Sequence, residues 1–127
     1  MTLVESKLAG LRVLLVEDSF LVATSISRLL EELGCRVVGP YATNEDALRV
    51  VGSGGCDIGL LDINLGAVTS EPVAESLEQQ GVPFLFVTSY QSPEAIKARF
   101  AARRTIHKPL SREVLRDALA ASLRDRA

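Results

Sequence analysis

Short apolar runs and helical apolar stripes take turns along the chain. Leu11-Arg12-Val13-Leu14-Leu15-Val16, Ile58-Gly59-Leu60-Leu61 and Pro83-Phe84-Leu85-Phe86-Val87 are near-continuous apolar runs, each stopped by polar residues. Runs of this length predict strands buried on both faces, as in a parallel sheet. Arg36-Val37-Val38-Gly39 and Thr105-Ile106 predict two shorter strands. Between them, Leu21, Val22, Ile26, Leu29, Leu30 and Leu33 recur at helical spacing after the N-cap candidate Ser19, and Gly34 stops them. Thr43 with Asp46 resembles a capping box weakened by the shorter acid, and it opens a helix through Ala47, Leu48 and Val51. Glu71-Pro72 opens a third helix and Ser92-Pro93-Glu94 a fourth, whose stripe is thin, chiefly Ile96 and Phe100. Ser111 caps a last helix carrying Val114, Leu115, Ala118, Leu119 and Leu123. A polar loop is expected over 66–70.

Five strands alternating with five helices imply right-handed βαβ crossovers covering a parallel sheet on both faces. The expected fold is α/β, a flavodoxin-like (βα)5 doubly wound sheet of strand order 2-1-3-4-5. Residues 1–10 read as an N-terminal tail and 11–127 as one domain with no output domain.

Composition adds boundaries rather than direction. Apolar residues are 47% and charged residues 24% of 127, ordinary for a folded soluble domain. No stretch is long and apolar enough to span a membrane, and the N-terminus has no signal-peptide pattern, so a cytoplasmic location is expected. Cys35 and Cys56 fit no zinc spacing, and the lone His107 supports no metal cluster. The glycines at 52, 54 and 55 lack the lysine of a phosphate loop. Charge is uneven: residues 1–96 hold 5 Lys/Arg and 13 Asp/Glu, residues 97–127 hold 9 and 3. The basic end lies on amphipathic helices without a nucleic-acid motif, so a partner-facing or solvated surface is expected there.

Chemistry gathers at the strand ends. In the 2-1-3-4-5 order the first and third strands are neighbours, so Glu17, Asp18 and Asp62 crowd one crevice. Like charges that close force a proton onto one of them unless a cation intervenes. An all-oxygen site with few protein ligands suits Mg²⁺. Thr88 and Lys108 arrive from the fourth and fifth strands with a hydroxyl and an ammonium, which suit a phosphoryl group. The set points to a carboxylate attacking phosphorus, with cations neutralising the transferring oxygens.

These residues resemble the response regulator receiver domain of two-component signalling. The resemblance rests on Val-Glu-Asp at 16–18, Leu-Leu-Asp-Ile-Asn at 60–64, Val-Thr-Ser at 87–89 and Lys-Pro at 108–109. It implies Asp62 as phosphoacceptor, with Glu17, Asp18, Asp62 and the Asn64 backbone carbonyl as Mg²⁺ ligands. Thr88 becomes the switch hydroxyl and Lys108 the phosphate-binding lysine, with a cis Lys108–Pro109 bond. The phosphodonor would be a sensor histidine kinase or a histidine phosphotransfer protein, and the output a contact with a downstream protein. That contact would use the fourth helix, fifth strand and fifth helix, where Arg99, Arg103, Arg104, Arg112 and Arg116 lie. Such a protein is no enzyme in the ordinary sense, since it catalyses only its own phosphorylation and dephosphorylation.

Thr105 stands where receivers commonly carry an aromatic. Phe86-Val87-Thr88-Ser89-Tyr90, Asp62-Ile-Asn-Leu-Gly and Glu71-Pro-Val-Ala resemble the single-domain FAT GUY subgroup of alphaproteobacteria, often paired with HWE-type kinases and the general stress response. Val87 and Ser89 depart from its Ala and Gly. Tyr90 then becomes a candidate for tuning dephosphorylation or replacing the aromatic switch. Alternatives are a degenerate receiver binding partners without phosphorylation, a phosphate sink, and a haloacid-dehalogenase-type phosphatase. The last normally needs an acid where Asn64 stands.

Overall fold

The computed structural model describes residues 2–89 and 94–125. Six helices and seven strands follow in the order α1 (Leu3–Leu8), β1 (Arg12–Val16), α2 (Phe20–Glu32), β2 (Arg36–Tyr41), α3 (Asn44–Gly52), β3 (Ile58–Asp62), β4 (Asn64–Leu65), β5 (Val68–Thr69), α4 (Glu71–Gln79), β6 (Phe84–Thr88), α5 (Glu94–Arg99), β7 (Thr105–His107) and α6 (Arg112–Arg124). The main sheet has the order β2-β1-β3-β6-β7, every pair parallel. With β6 and β7 as the fourth and fifth strands, this is the 2-1-3-4-5 order expected of the flavodoxin-like fold.

Alternation within the buried strands divides the core into two layers. Leu14, Val16, Leu61, Phe84 and Phe86 face α3, α4 and α5, meeting Val51, Leu77, Ile96 and Phe100. Val13, Leu15, Leu60, Leu85 and Val87 face α2 and α6, meeting Ile26, Leu30, Leu115 and Leu119. The thin stripe of α5 is reinforced just past its end. Phe100 lies 5.7 Å from both Phe84 and Phe86, ring centre to ring centre. Gly59 is required by the close approach of α4 to the sheet, since a Cβ there would lie 2.7 Å from Leu77 Cδ1 and 3.2 Å from Phe84 Cβ.

Three local differences from expectation have identifiable causes. The stretch read as a tail over 1–10 holds α1, opened by a reciprocal capping box between Thr2 and Glu5 and pinned by buried Leu8. The loop over 66–70 is partly a hairpin, with β4 and β5 pairing antiparallel across Gly66 (φ +70°). Strand β2 runs two residues past Gly39, because a bulge absorbs Gly39-Pro40. The Gly39–Pro40 and Lys108–Pro109 bonds are both cis. Ser19, Thr43 and Ser111 cap their helices through their hydroxyls. Among the described residues, no helix is long and apolar enough to cross a membrane.

Candidate functional site

The residues that converge do so because parallel strands all end on the same side. β1 hands over to Glu17 and Asp18, and its neighbour β3 ends at Asp62. Carboxylate oxygens of Glu17, Asp18 and Asp62 lie within 4.8 Å of one another. Glu17 and Asp62 are buried, 3% and 6% exposed, whereas Asp18 is exposed at the mouth. Lys108 follows β7, and its Nζ reaches across to Glu17 Oε1 at 2.6 Å and Asp62 Oδ2 at 3.2 Å.

Charge accounting explains the arrangement. Three carboxylates share one ammonium. Glu17 is raised above the ordinary carboxylate range, first by burial and then by its hydrogen bond with Asp62; Lys108 and the Ser19 N–H oppose this without cancelling it. For Lys108, burial works to lower the ammonium's value, but Glu17 and Asp62 together outweigh burial and raise it. The lysine therefore stays charged at neutral pH. An all-oxygen set of three carboxylates against one ammonium carries excess negative charge and fits a hard divalent cation. The acidic cluster has the donors to hold one.

The loop after β3 is tied close to this cluster. The Asn64 N–H donates to Asp62 Oδ1 at 3.3 Å, and the Ser70 N–H returns to the Ile63 carbonyl at 2.9 Å. The tip of the hairpin approaches the acids: a Cβ on Gly66 would lie 3.8 Å from Asp18 Oδ2. Thr88 is fully buried at the end of β6, with its hydroxyl donating to the Ser89 carbonyl at 2.9 Å rather than to an acid. Ser89 itself is exposed, as is Pro109. Thr105 pairs in register with Phe86 and is half-buried, a small side chain at the start of β7. Tyr90 lies outside the described residues.

Sequence reasoning missed what surrounds the basic end. Arg99 pairs with Glu71 and with Glu75 (3.2 Å), Arg103 with Glu78 (2.7 Å), Arg104 with Asp125 (3.0 Å), Arg112 with Glu32 (3.8 Å) and Arg116 with Asp117 (3.1 Å). Each of the five arginines expected on a partner-facing surface is thus already matched within the chain. Arg103 also lies over the Phe84 ring, 4.6 Å from its centre. Glu71, Glu75 and Glu78 recur on one side of α4, and that spacing was the only signal available. Their partners lie more than twenty residues away, beyond the reach of local pattern.

The comparisons with known proteins agree with this geometry. A family model described as the response regulator receiver domain matches residues 13–120. A search among curated proteins returned no match. Among solved structures, SdrG from Sphingomonas melonis Fr1 is 37% identical, with TM-score 0.78, over 91% of this chain and 98% of that one. The signal receiver domain of a modulated diguanylate cyclase from Desulfovibrio desulfuricans G20 is 30% identical, with TM-score 0.81, over 92% and 96%. Chemotaxis protein CheY4 of Vibrio cholerae is 27% identical, with TM-score 0.76, over 90% and 99%. The fold, the acids gathered at its strand ends and the family model across most of the chain lead to one conclusion: this chain belongs to the response regulator receiver domains.

Proposed function

We propose that Asp62 accepts a phosphoryl group from the phosphohistidine of a sensor histidine kinase or a histidine phosphotransfer protein, in a Mg²⁺-dependent reaction. The observation that carries this reading is Lys108 Nζ set between Glu17 and Asp62, with Asp18 at the mouth. Glu17, Asp18, Asp62 and the Asn64 carbonyl would hold Mg²⁺, which when bound neutralises charge on the phosphoryl oxygens. An Asp62 oxygen attacks phosphorus, and a P–O bond forms as the P–N bond to the donor imidazole breaks. Lys108 exchanges Asp62 Oδ2 for a phosphoryl oxygen while keeping Glu17, so it stays paired throughout. The Thr88 hydroxyl leaves the Ser89 carbonyl and donates to the phosphoryl group. That contact biases α5 and β7, a shift between pre-existing arrangements.

A protein donor is favoured over a small one by what borders the crevice. Phe20 and Leu21, just past Ser19 from the acids, are 81% and 80% exposed. Beside them a groove of about 430 Å³ runs past Val22, Leu29, Pro109 and Leu110 to Lys108. The output is contact with a downstream protein through α5, β7 and α6, with no direct nucleic-acid role. The motif around Thr88 and the small Thr105 support the FAT GUY subgroup and an HWE-type kinase, with Tyr90 tuning phosphate loss or standing in for the missing aromatic.

The test is incubation with Mg²⁺ and acetyl phosphate, read by intact mass, with Asp62→Ala alongside. A single phosphoryl adduct that needs Mg²⁺ and is lost in the variant is expected. A wild-type chain without adduct overturns the reading and favours a phosphorylation-independent binding module.

A further inference from the structure

Glu17 is held at three points. Its Oε2 accepts the Ser19 N–H at 3.1 Å, and its Oε1 lies 2.6 Å from Lys108 Nζ. The third point is its own N–H, which donates to the Tyr41 carbonyl at 2.9 Å. That acceptor belongs to β2, an edge strand whose residues are absent from the acid cluster.

The contact depends on a fault in the ladder. β1 and β2 run in step through Leu14↔Val38, and then Val16 pairs with Tyr41. A step of two residues on β1 is therefore matched by three on β2, which is a bulge. An unbulged ladder would set Pro40 opposite Val16, and Pro has no N–H for the ladder. The bulge takes Pro40 out and puts Tyr41 in its place. Gly39 makes this possible. Its φ is +104°, and a Cβ there would lie 2.8 Å from Tyr41 N, 2.9 Å from Tyr41 Cδ2 and 3.1 Å from the Leu15 carbonyl oxygen. The Tyr41 ring thus fills the space a side chain at 39 would need, and it packs half-buried against the core on that face.

We infer that the Gly39–Tyr41 bulge is a positioning device for the cation site: it fixes the backbone of Glu17, and through it the reach of the Glu17 carboxylate toward Asp62 and Lys108. Gly39 and Tyr41 act through Glu17 and touch neither metal nor phosphate. This rests on the acid cluster holding Mg²⁺, as proposed above.

The experiment is a Mg²⁺ titration of the full chain, followed by the amide NMR signals of Asp18, Ile63 and Asn64. Gly39→Ala is compared with Gly81→Ala, which also places alanine at a positive φ (+68°) but with nothing within 4 Å and far along the chain from the acids. Both variants lose melting temperature. Only Gly39→Ala is expected to lose Mg²⁺ affinity, by roughly tenfold, the lower end of what residues orienting metal ligands typically cost. Should Gly39→Ala not fold, the same question is put by an ester in place of the Glu17 amide. A synthetic 1–34 segment joined at the native Cys35 supplies it, removing that single donor and no side chain. Wild-type binding that both altered chains keep overturns the positioning role alone. A wild-type chain with no saturable Mg²⁺ binding overturns the metal reading, and the positioning role with it.

Discussion

Removing the Lys108 ammonium should unmask the repulsion it now covers. In Lys108→Met the stem volume is kept, but the side chains of Glu17 and Asp62, 1% and 8% exposed, lose their shared cation. Breaking a buried ion pair typically costs about 3–5 kcal/mol. Here the loss is smaller, because the lysine side chain is 20% exposed and the crevice it leaves is open to water. About 2 kcal/mol at pH 7.5 follows, or roughly 6–10 °C in melting temperature for a domain of this size. The sign with pH is fixed by Glu17. A carboxyl whose folded value lies above its unfolded one gains stability as pH falls through the folded value, and the gain is complete below the unfolded value near 4.5. Lys108 holds the Glu17 value down, so its loss raises Glu17 further in the variant than in the wild type, and the deficit of Lys108→Met should be largest at neutral pH and shrink as pH falls toward 4.5. Mg²⁺ should also shrink it, by replacing the missing charge. The assay is thermal unfolding by circular dichroism in half-unit pH steps, with EDTA or with Mg²⁺. A variant that melts with the wild type at every pH in EDTA, or whose deficit ignores both pH and Mg²⁺, refutes the reasoning.

Three further outcomes are expected. Gly59→Ala should lose about 1–3 kcal/mol through overpacking against Leu77 and Phe84, and Leu77→Val in the same chain should restore part of it; additive losses in chemical denaturation would contradict this. Cys35, buried and pushed up to about 11 by burial, should resist iodoacetamide at pH 8 in the native protein and react fully in denaturant, whereas rapid native labelling would show an accessible thiolate. Arg103→Ala, which removes both the Glu78 pair and the cover over Phe84, should speed amide hydrogen exchange in α5 without changing that of α2; unaltered exchange in α5 would show that these contacts do not hold the helix.

The parts of the fold legible in the chain were those whose signal is local. β1, β3 and β6 are continuous apolar runs because both faces are covered, and the turn residues after them mark where side chains must leave the core. β2 read as ending at Gly39, since Gly-Pro ordinarily ends a strand; only pairing with β1 reveals that a bulge carries the strand to Tyr41. α1 announces itself through Thr2 and Glu5, yet six residues with one buried leucine leave no periodicity to detect. The candidate site was legible for the same reason as the strands, because the acids and lysine stand where the runs stop. Its second layer was not. The Thr88 hydroxyl on Ser89, the Glu17 amide on Tyr41 and the arginine pairs with α4 are choices made in three dimensions among several local possibilities.

The sheet order also sets a sequence of events in synthesis. Glu17, Asp18 and Asp62 belong to β1, β3 and their ends, which pair directly with one another. Lys108 lies 46 residues beyond Asp62, after the edge strand β7, which among the described residues pairs with β6 alone. A growing chain therefore carries the whole acidic cluster before its counter-charge has been made. Until then, like-charge repulsion works against closing the crevice, and each carboxylate is better off in water. The last strand supplies more than an edge to the sheet: its lysine lets the first half of the molecule draw its charges together.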